Sequence, residues 1–81
     1  MPRPKIFLYV KKDCCLCHDM LMQLQQLKMD FKFDIIVRDI GEDKSWTYRY
    51  ERKVPVITVN GVEICNYYLD LQSLKNHLNL S

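Results

Sequence analysis

The placement of the four cysteines is the feature that most constrains the fold of this chain. Three of them, Cys14, Cys15 and Cys17, lie within four positions, and Cys65 is far away. Disulfides stabilise small domains by closing long loops, which cysteines this close together cannot do. A chain of 81 residues forms one domain only, residues 1–81. Since its cysteines do not form a disulfide framework, we expect this domain to depend on a hydrophobic core. Clustered cysteines in such a domain indicate redox or metal chemistry.

An apolar run, a dithiol and an amphipathic helix follow one another near the start of the chain. Lys5–Val10 is nearly continuously apolar and rich in strand-forming residues, which is typical of a central strand buried on both faces. Beyond the polar break at 11–13, apolar residues recur at helical spacing: Cys17, Met20, Leu21, Leu24 and Leu27. The pattern predicts a strand and then a helix of three or four turns that opens at the cysteines.

The middle of the chain predicts a second strand and a second helix. The alternation of apolar residues that predicts the strand involves Phe31, Phe33, Ile35 and Val37. Asp39 and Glu42 have the spacing of a capping box, so we expect the helix to begin there. Its aromatic residues are expected to pack it on the sheet: Trp46, Tyr48 and Tyr50.

The last part of the chain predicts a hairpin and a final helix. Val54–Val59 forms the third strand, Asn60-Gly61 is a two-residue turn signal, and Val62–Cys65 returns as the fourth strand. Leucines at helical spacing mark the last helix: Leu71, Leu74 and Leu78. The predicted order is β-α-β-α-β-β-α, an α/β fold with a four-stranded mixed sheet flanked by helices.

Charge and hydropathy narrow the range of partners and settings. The formal net charge is only +2, and the basic residues form no stripe that could follow a phosphate backbone, so we expect no nucleic-acid partner. No apolar segment approaches the length needed to span a bilayer or to direct export. We therefore expect a cytoplasmic monomer with no membrane partner, in a reducing setting where Cys-x-x-Cys more often serves catalysis than structure.

Cys14 and Cys17 have the spacing and the position of a redox dithiol. The unpaired N–H groups at a helix N-terminus stabilise an anion, which favours Cys14 as the attacking thiolate. Cys17 shares the apolar face of the helix with Met20 and Leu24, so we expect it to be more buried and less ionised. This asymmetry fits a two-step exchange in which Cys14 attacks a disulfide and Cys17 resolves the mixed disulfide.

Val54-Pro55 is the second candidate element of the site. Proline within a sheet is confined to edges and strand starts. A cis bond at this position would leave the backbone N–H and C=O of Val54 unpaired and facing outward. These groups could then pair with an extended peptide or with glutathione.

Two segments resemble the glutaredoxins. Tyr9 to Cys17 reads Tyr-Val-Lys-Lys-Asp-Cys-Cys-Leu-Cys and resembles the family's Tyr-x-Lys-x-x-Cys-Pro-Tyr-Cys. Val54-Pro55 and the following hairpin resemble its cis-proline strand, and the Cys-x-Leu-Cys centre is similar to that of short glutaredoxin-like proteins.

The resemblance implies a thioredoxin-like fold, a cis Val54–Pro55 bond and a redox-active disulfide between Cys14 and Cys17. It also implies that Lys11 contacts the glycine carboxylate of glutathione, while Tyr9 could flank the thiols. No cofactor would be bound. The partner would be a disulfide-containing protein or a glutathione mixed disulfide, with glutathione as a possible co-substrate.

The chain departs from the glutaredoxin pattern after the hairpin. Glutaredoxins usually carry Gly-Gly and an acidic pair there, which hold the γ-glutamyl end of glutathione. This chain has Cys65 and Asn66 instead, and Asp70 aligns only with an inserted residue. Side chains at 65 and 66 obstruct close backbone approach, which argues against glutathione binding.

Two alternatives use the same cysteines. Cys14, Cys15 and Cys17 are soft ligands suited to Cu(I), Zn(II) or an iron–sulfur cluster, so a metal-binding module is the main alternative. Cys14-x-x-Cys17-His18 also matches the motif for c-type haem attachment, which normally accompanies export.

Overall fold

A computed structural model describes residues 3–78 and contains the predicted elements in the predicted order. The strands are β1 (Lys5–Val10), β2 (Asp34–Asp39), β3 (Val56–Val59) and β4 (Val62–Asn66). The α-helices are α1 (Cys15–Leu27), α2 (Lys44–Tyr50) and α3 (Leu71–Leu78). The sheet has the order β2-β1-β3-β4, with β2 parallel to β1 and the other neighbouring strands antiparallel. The predicted mixed sheet is confirmed.

The two faces of the sheet bury different clusters because successive residues of β1 point in opposite directions. Ile6 and Leu8 face α1 and α3, and they belong to the larger cluster together with Met20, Leu24, Phe33, Ile57, Val59, Leu74 and Leu78. Tyr9 faces α2, where its ring centroid lies 4.4 Å from that of Tyr50 and 5.7 Å from that of Trp46. The helices therefore cover both faces, as predicted.

The predicted start of the second helix was wrong. Asp39 and Glu42 do not form a capping box on α2, because Asp39 accepts a hydrogen bond from the Gly41 N–H (2.8 Å) and caps a short 3-10 helix, Ile40–Glu42. Asp43 caps α2 instead, accepting from the N–H of Ser45 at 2.8 Å. Tyr48 on α2 is 93% exposed and does not pack on the sheet, which also corrects the prediction.

Three strand boundaries differ from the alternation pattern. The second strand begins at Asp34, after Phe31 and Phe33, although Phe33 is fully buried in the larger cluster. Val54 and Pro55 precede β3, and β4 extends one residue further, to Asn66. Apolar alternation reports burial, and buried residues can flank a strand without joining its hydrogen-bonded ladder.

The Asn60-Gly61 turn joins β3 to β4 as predicted. Both residues have positive φ, 53° and 79°, which the tight two-residue hairpin requires and which glycine and asparagine adopt with least strain. Within residues 3–78, no helix is long and apolar enough to cross a membrane.

Candidate functional site

Cys14 occupies the N-cap of α1, directly after the turn that follows β1. Its backbone is extended (φ −107°, ψ 107°), and its carbonyl accepts the N–H of His18 at 3.1 Å. Its Sγ accepts a hydrogen bond from the backbone N–H of Cys17 at 3.2 Å. The half-buried Cys14 sulfur therefore faces the free N–H groups of the helix, where negative charge is stabilised.

Cys17 lies one turn further along α1 and is buried, with 4% of its surface exposed. Burial is the main cause that raises the pKa of Cys17 to about 12, and a hydrogen bond with the Cys14 thiol acts in the same direction. Cys17 is therefore neutral at physiological pH, while Cys14 remains accessible. The predicted difference in burial between the two thiols is confirmed, and all four cysteines are free thiols.

The other two cysteines differ from each other in position and burial. Cys15 is exposed at the start of α1, whereas Cys65 is half-buried on β4 opposite Ile57, and burial raises the pKa of its thiol. In the described part of the chain, no three His, Cys, Asp or Glu side chains are grouped in a way that could hold a metal ion.

Val54 and Pro55 lie beside the dithiol and are joined by a cis peptide bond, as predicted. Val54 is buried in the same cluster as Cys17, and Cys14 packs against that cluster. The expectation that the Val54 N–H is unpaired was wrong, however, whereas the same expectation for the Val54 carbonyl stays a prediction. The Val54 N–H donates to the Tyr50 carbonyl at 3.1 Å, at the end of α2, so it does not face outward unpaired.

Tyr9 and Lys11, the two other predicted site residues, have different surroundings. Tyr9 lies in the same cluster as Cys17 but is only 6% exposed, and its hydroxyl accepts a hydrogen bond from Arg38 at 2.9 Å. Lys11 is exposed and lines, together with both thiols, an open groove of about 310 Å³. The structure thus places Lys11 where a ligand at the thiols could meet it, and its contact with glutathione stays a prediction.

Two residues near the site were not anticipated from the sequence. The guanidinium of Arg38 lies 4.2 Å from the ring centroid of Phe7 and 5.0 Å from that of Trp46, which fixes the aromatic cluster under the site. Tyr67 follows β4 with φ 63°, and its N–H donates to the Pro55 carbonyl at 2.9 Å. The position of Arg38 follows from strand alternation, but no sequence signal indicates a tyrosine in a left-handed conformation.

The comparison with protein families gives one match over nearly the whole chain. Residues 5–79 match the model of a glutaredoxin-like domain, DUF836. A search of curated protein sequences found no significant relative.

Solved structures have the same fold. Protein Ne2328 from Nitrosomonas europaea is 28% identical, with a TM-score of 0.87 over 96% of this chain and 94% of that one. Thioredoxin 1 from Thermosipho africanus is 22% identical, with a TM-score of 0.61 over 94% and 96% of the two chains. The thioredoxin-like protein BC3987, solved as a mutant, is 19% identical, with a TM-score of 0.64 over 91% and 99%. The last two similarities establish a thioredoxin-like fold.

Proposed function

This chain belongs to the glutaredoxin-like domain family (DUF836), and we propose that it is a thiol–disulfide oxidoreductase whose reacting pair is Cys14 and Cys17. The observation that carries the proposal is the asymmetry of the pair. Cys14 lies at a helix N-terminus with the N–H of Cys17 directed at its sulfur, whereas burial holds the pKa of Cys17 at about 12. Since the thiolate is the reactive form, this asymmetry supports an order in which Cys14 attacks first and Cys17 second.

In the first step, the Cys14 thiolate attacks one sulfur of a substrate disulfide. The substrate S–S bond breaks, a Cys14–substrate disulfide forms, and the other substrate sulfur leaves as a thiolate. Cys17 then gives up its proton and attacks the Cys14 sulfur, which releases the second substrate thiolate and closes a Cys14–Cys17 disulfide. Two electrons pass to the substrate, and an external dithiol or thiol must supply them again for the next cycle. The substrate is a disulfide-containing protein or a glutathione mixed disulfide.

Replacement of single cysteines tests these roles. We expect Cys17→Ser to accumulate a stable mixed disulfide with a disulfide-linked peptide, visible by intact mass, because nothing resolves it. The rate of disulfide exchange by Cys14→Ser is expected to be at least about a hundredfold lower than that of wild type. Cys15→Ser, the matched control in the same turn, is expected to react at the wild-type rate. Equal exchange by Cys14→Ser and wild type would sink the assignment. The intact mass also tests the haem alternative, since a covalent haem would increase it.

A further inference from the structure

The groove of about 310 Å³ that Cys14 and Cys17 line together lies on the β2 side of the dithiol. Its lining comes from β1, the turn after β1, the first half of α1, and β2. In the sheet, β2 and β3 flank β1 on opposite sides. Because the cis bond of Val54-Pro55 leads into β3, the cis-proline and this groove lie on opposite sides of the strand that leads to the dithiol. A substrate in the groove therefore meets a surface that the cis-proline does not form.

Aliphatic side chains that the fold leaves partly uncovered line this groove. Val37 lies opposite Leu8 of β1, so both side chains point to the α1 face of the sheet. Leu8 is fully buried, whereas Val37, on an edge strand, is 48% exposed. Leu21 follows Cys17 by one turn on the same face of α1 and, like Val10, is half-buried. An apolar surface thus extends from the edge of the sheet to the two thiols.

The ionisable side chains at the rim of the groove do not favour a ligand of one charge. Lys11 and Asp13 have opposite charges, and His18, the third such residue, is exposed to solvent. Most of the remaining lining is apolar, and the volume is at the lower end of the range for ligand sites, roughly 300–1,000 Å³. The groove is therefore suited to a side chain rather than to a whole cofactor, and an aliphatic side chain gains most from entering it.

We propose that this groove is a subsite for an aliphatic side chain next to the cysteine of the substrate disulfide, with Val37 as its specificity-determining residue. This inference rests on the proposed function and names the kind of disulfide that the dithiol takes. When Cys14 attacks a substrate sulfur, the residues beside that sulfur come to lie against the surface around the thiols. An aliphatic neighbour then covers Val37 and Leu21 and is itself removed from water, whereas a serine neighbour gains no such burial.

The test compares two symmetric peptide disulfides of equal length and charge, which carry either leucine or serine on both sides of the cysteine. Each is mixed with an excess of reduced full-length protein. One turnover then oxidises the dithiol to the Cys14–Cys17 disulfide and reduces the probe to two peptide thiols. The second-order rate constant for loss of each probe is measured. The ratio of the leucine constant to the serine constant, divided by the same ratio for dithiothreitol, gives a specificity corrected for the intrinsic reactivity of the probes.

The chain offers a closely matched pair of variants. Val37→Ser removes the aliphatic side chain from the groove without adding a charge near the thiols. Val62→Ser is the control, because Val62 is 50% exposed and lies on β4, the edge strand on the opposite side of the same sheet. The two substitutions therefore remove similar exposed apolar surface, and only the first removes it from the groove.

We expect wild type to favour the leucine probe at least about fivefold, the factor that corresponds to burial of roughly half a valine side chain. Val37→Ser should lower this specificity to less than about twofold and leave the rate constant for the serine probe unchanged, since that probe does not use the contact. Val62→Ser should keep the wild-type specificity.

A wild-type specificity equal to that of dithiothreitol would overturn the inference. So would equal specificities in wild type and Val37→Ser, or an equal loss in Val62→Ser. If thermal unfolding shows that Val37→Ser does not fold, Val37→Thr, which keeps the branched shape favoured in strands, gives the same comparison. Reaction of wild type with neither probe would overturn the proposed function itself.

Discussion

The burial of Cys17 predicts that its thiol stays protonated far above the pH at which a free cysteine ionises. Burial, followed by the hydrogen bond with the Cys14 thiol, raises the pKa of Cys17 to about 12 from an ordinary value of 9.0. At pH 9, a thiol with the ordinary value is about half ionised, and one with a pKa of about 12 is only about 0.1% ionised. The concentration of the Cys17 thiolate should therefore be about 500-fold lower than that of an ordinary cysteine.

The pH dependence of alkylation measures this difference directly. Reduced protein is pulsed with iodoacetamide between about pH 7.5 and 10.5, and the modification of each cysteine is read by peptide mass spectrometry. The rate for Cys17 should rise about tenfold per pH unit throughout, whereas a short cysteine peptide in the same solution should level off above about pH 9.5. The shape of the profile is compared, and not the absolute rate, because burial also slows access of the reagent.

Replacement of Cys14 separates the two causes of the raised pKa. Cys14→Ala removes the hydrogen bond and the charge that act on Cys17 but leaves its burial, so we expect the pKa of Cys17 to fall only partway toward 9.0. A wild-type Cys17 profile that levels off near pH 9 would refute the reasoning. So would a Cys17 profile in Cys14→Ala that levels off near pH 9, since the burial that this variant keeps would then not raise the pKa of Cys17.

Two further predictions concern the fold. Leu24 is fully buried, and Met22, on the same helix, is 54% exposed. Leu24→Ala should therefore lower the free energy of unfolding, measured in urea, by about 2–5 kcal/mol, and Met22→Ala by less than about 0.5 kcal/mol. Equal losses in the two variants would contradict the assigned core. Hydrogen bonds from Ser45 hold the pKa of Asp43 below its usual 3.8, so the stability that this cap contributes is present above that pH and is lost as the pH falls. The difference in unfolding midpoint between wild type and Asp43→Ala should therefore shrink between roughly pH 5 and pH 2, and a constant difference would show that the carboxylate charge is not involved.

The order of elements and the asymmetry of the dithiol could be predicted because they follow from periodicity. The apolar run Lys5–Val10 indicates a strand buried on both faces, and the helical spacing of Cys17, Met20 and Leu24 indicates one buried face of α1. The structure buries all of these surfaces. That spacing also places Cys17 on the buried side of its helix and leaves Cys14 at the N-terminus. Such patterns predict the structure because, at these positions, the local sequence preference and the final hydrophobic core agree.

The details that the sequence did not give depend on competition between similar local interactions. Asp39 and Asp43 can both accept an N–H two residues ahead, and only packing decides that the first caps a 3-10 turn and the second caps α2. In the same way, the partner of the Val54 N–H is set by how α2 ends at Tyr50. The left-handed conformation of Tyr67 opposes its intrinsic preference, and only the contacts formed in the folded chain stabilise it.

The most direct test of the central claim is a redox titration of the dithiol. The protein is equilibrated across glutathione redox buffers, its free thiols are alkylated under acid quench, and the cysteine pairs are identified by mass spectrometry. We predict a Cys14–Cys17 disulfide that forms with a single two-electron midpoint between roughly −200 and −300 mV, while Cys15 and Cys65 stay outside the pair. Cys14 and Cys17 that remain unpaired across the whole range would contradict the account.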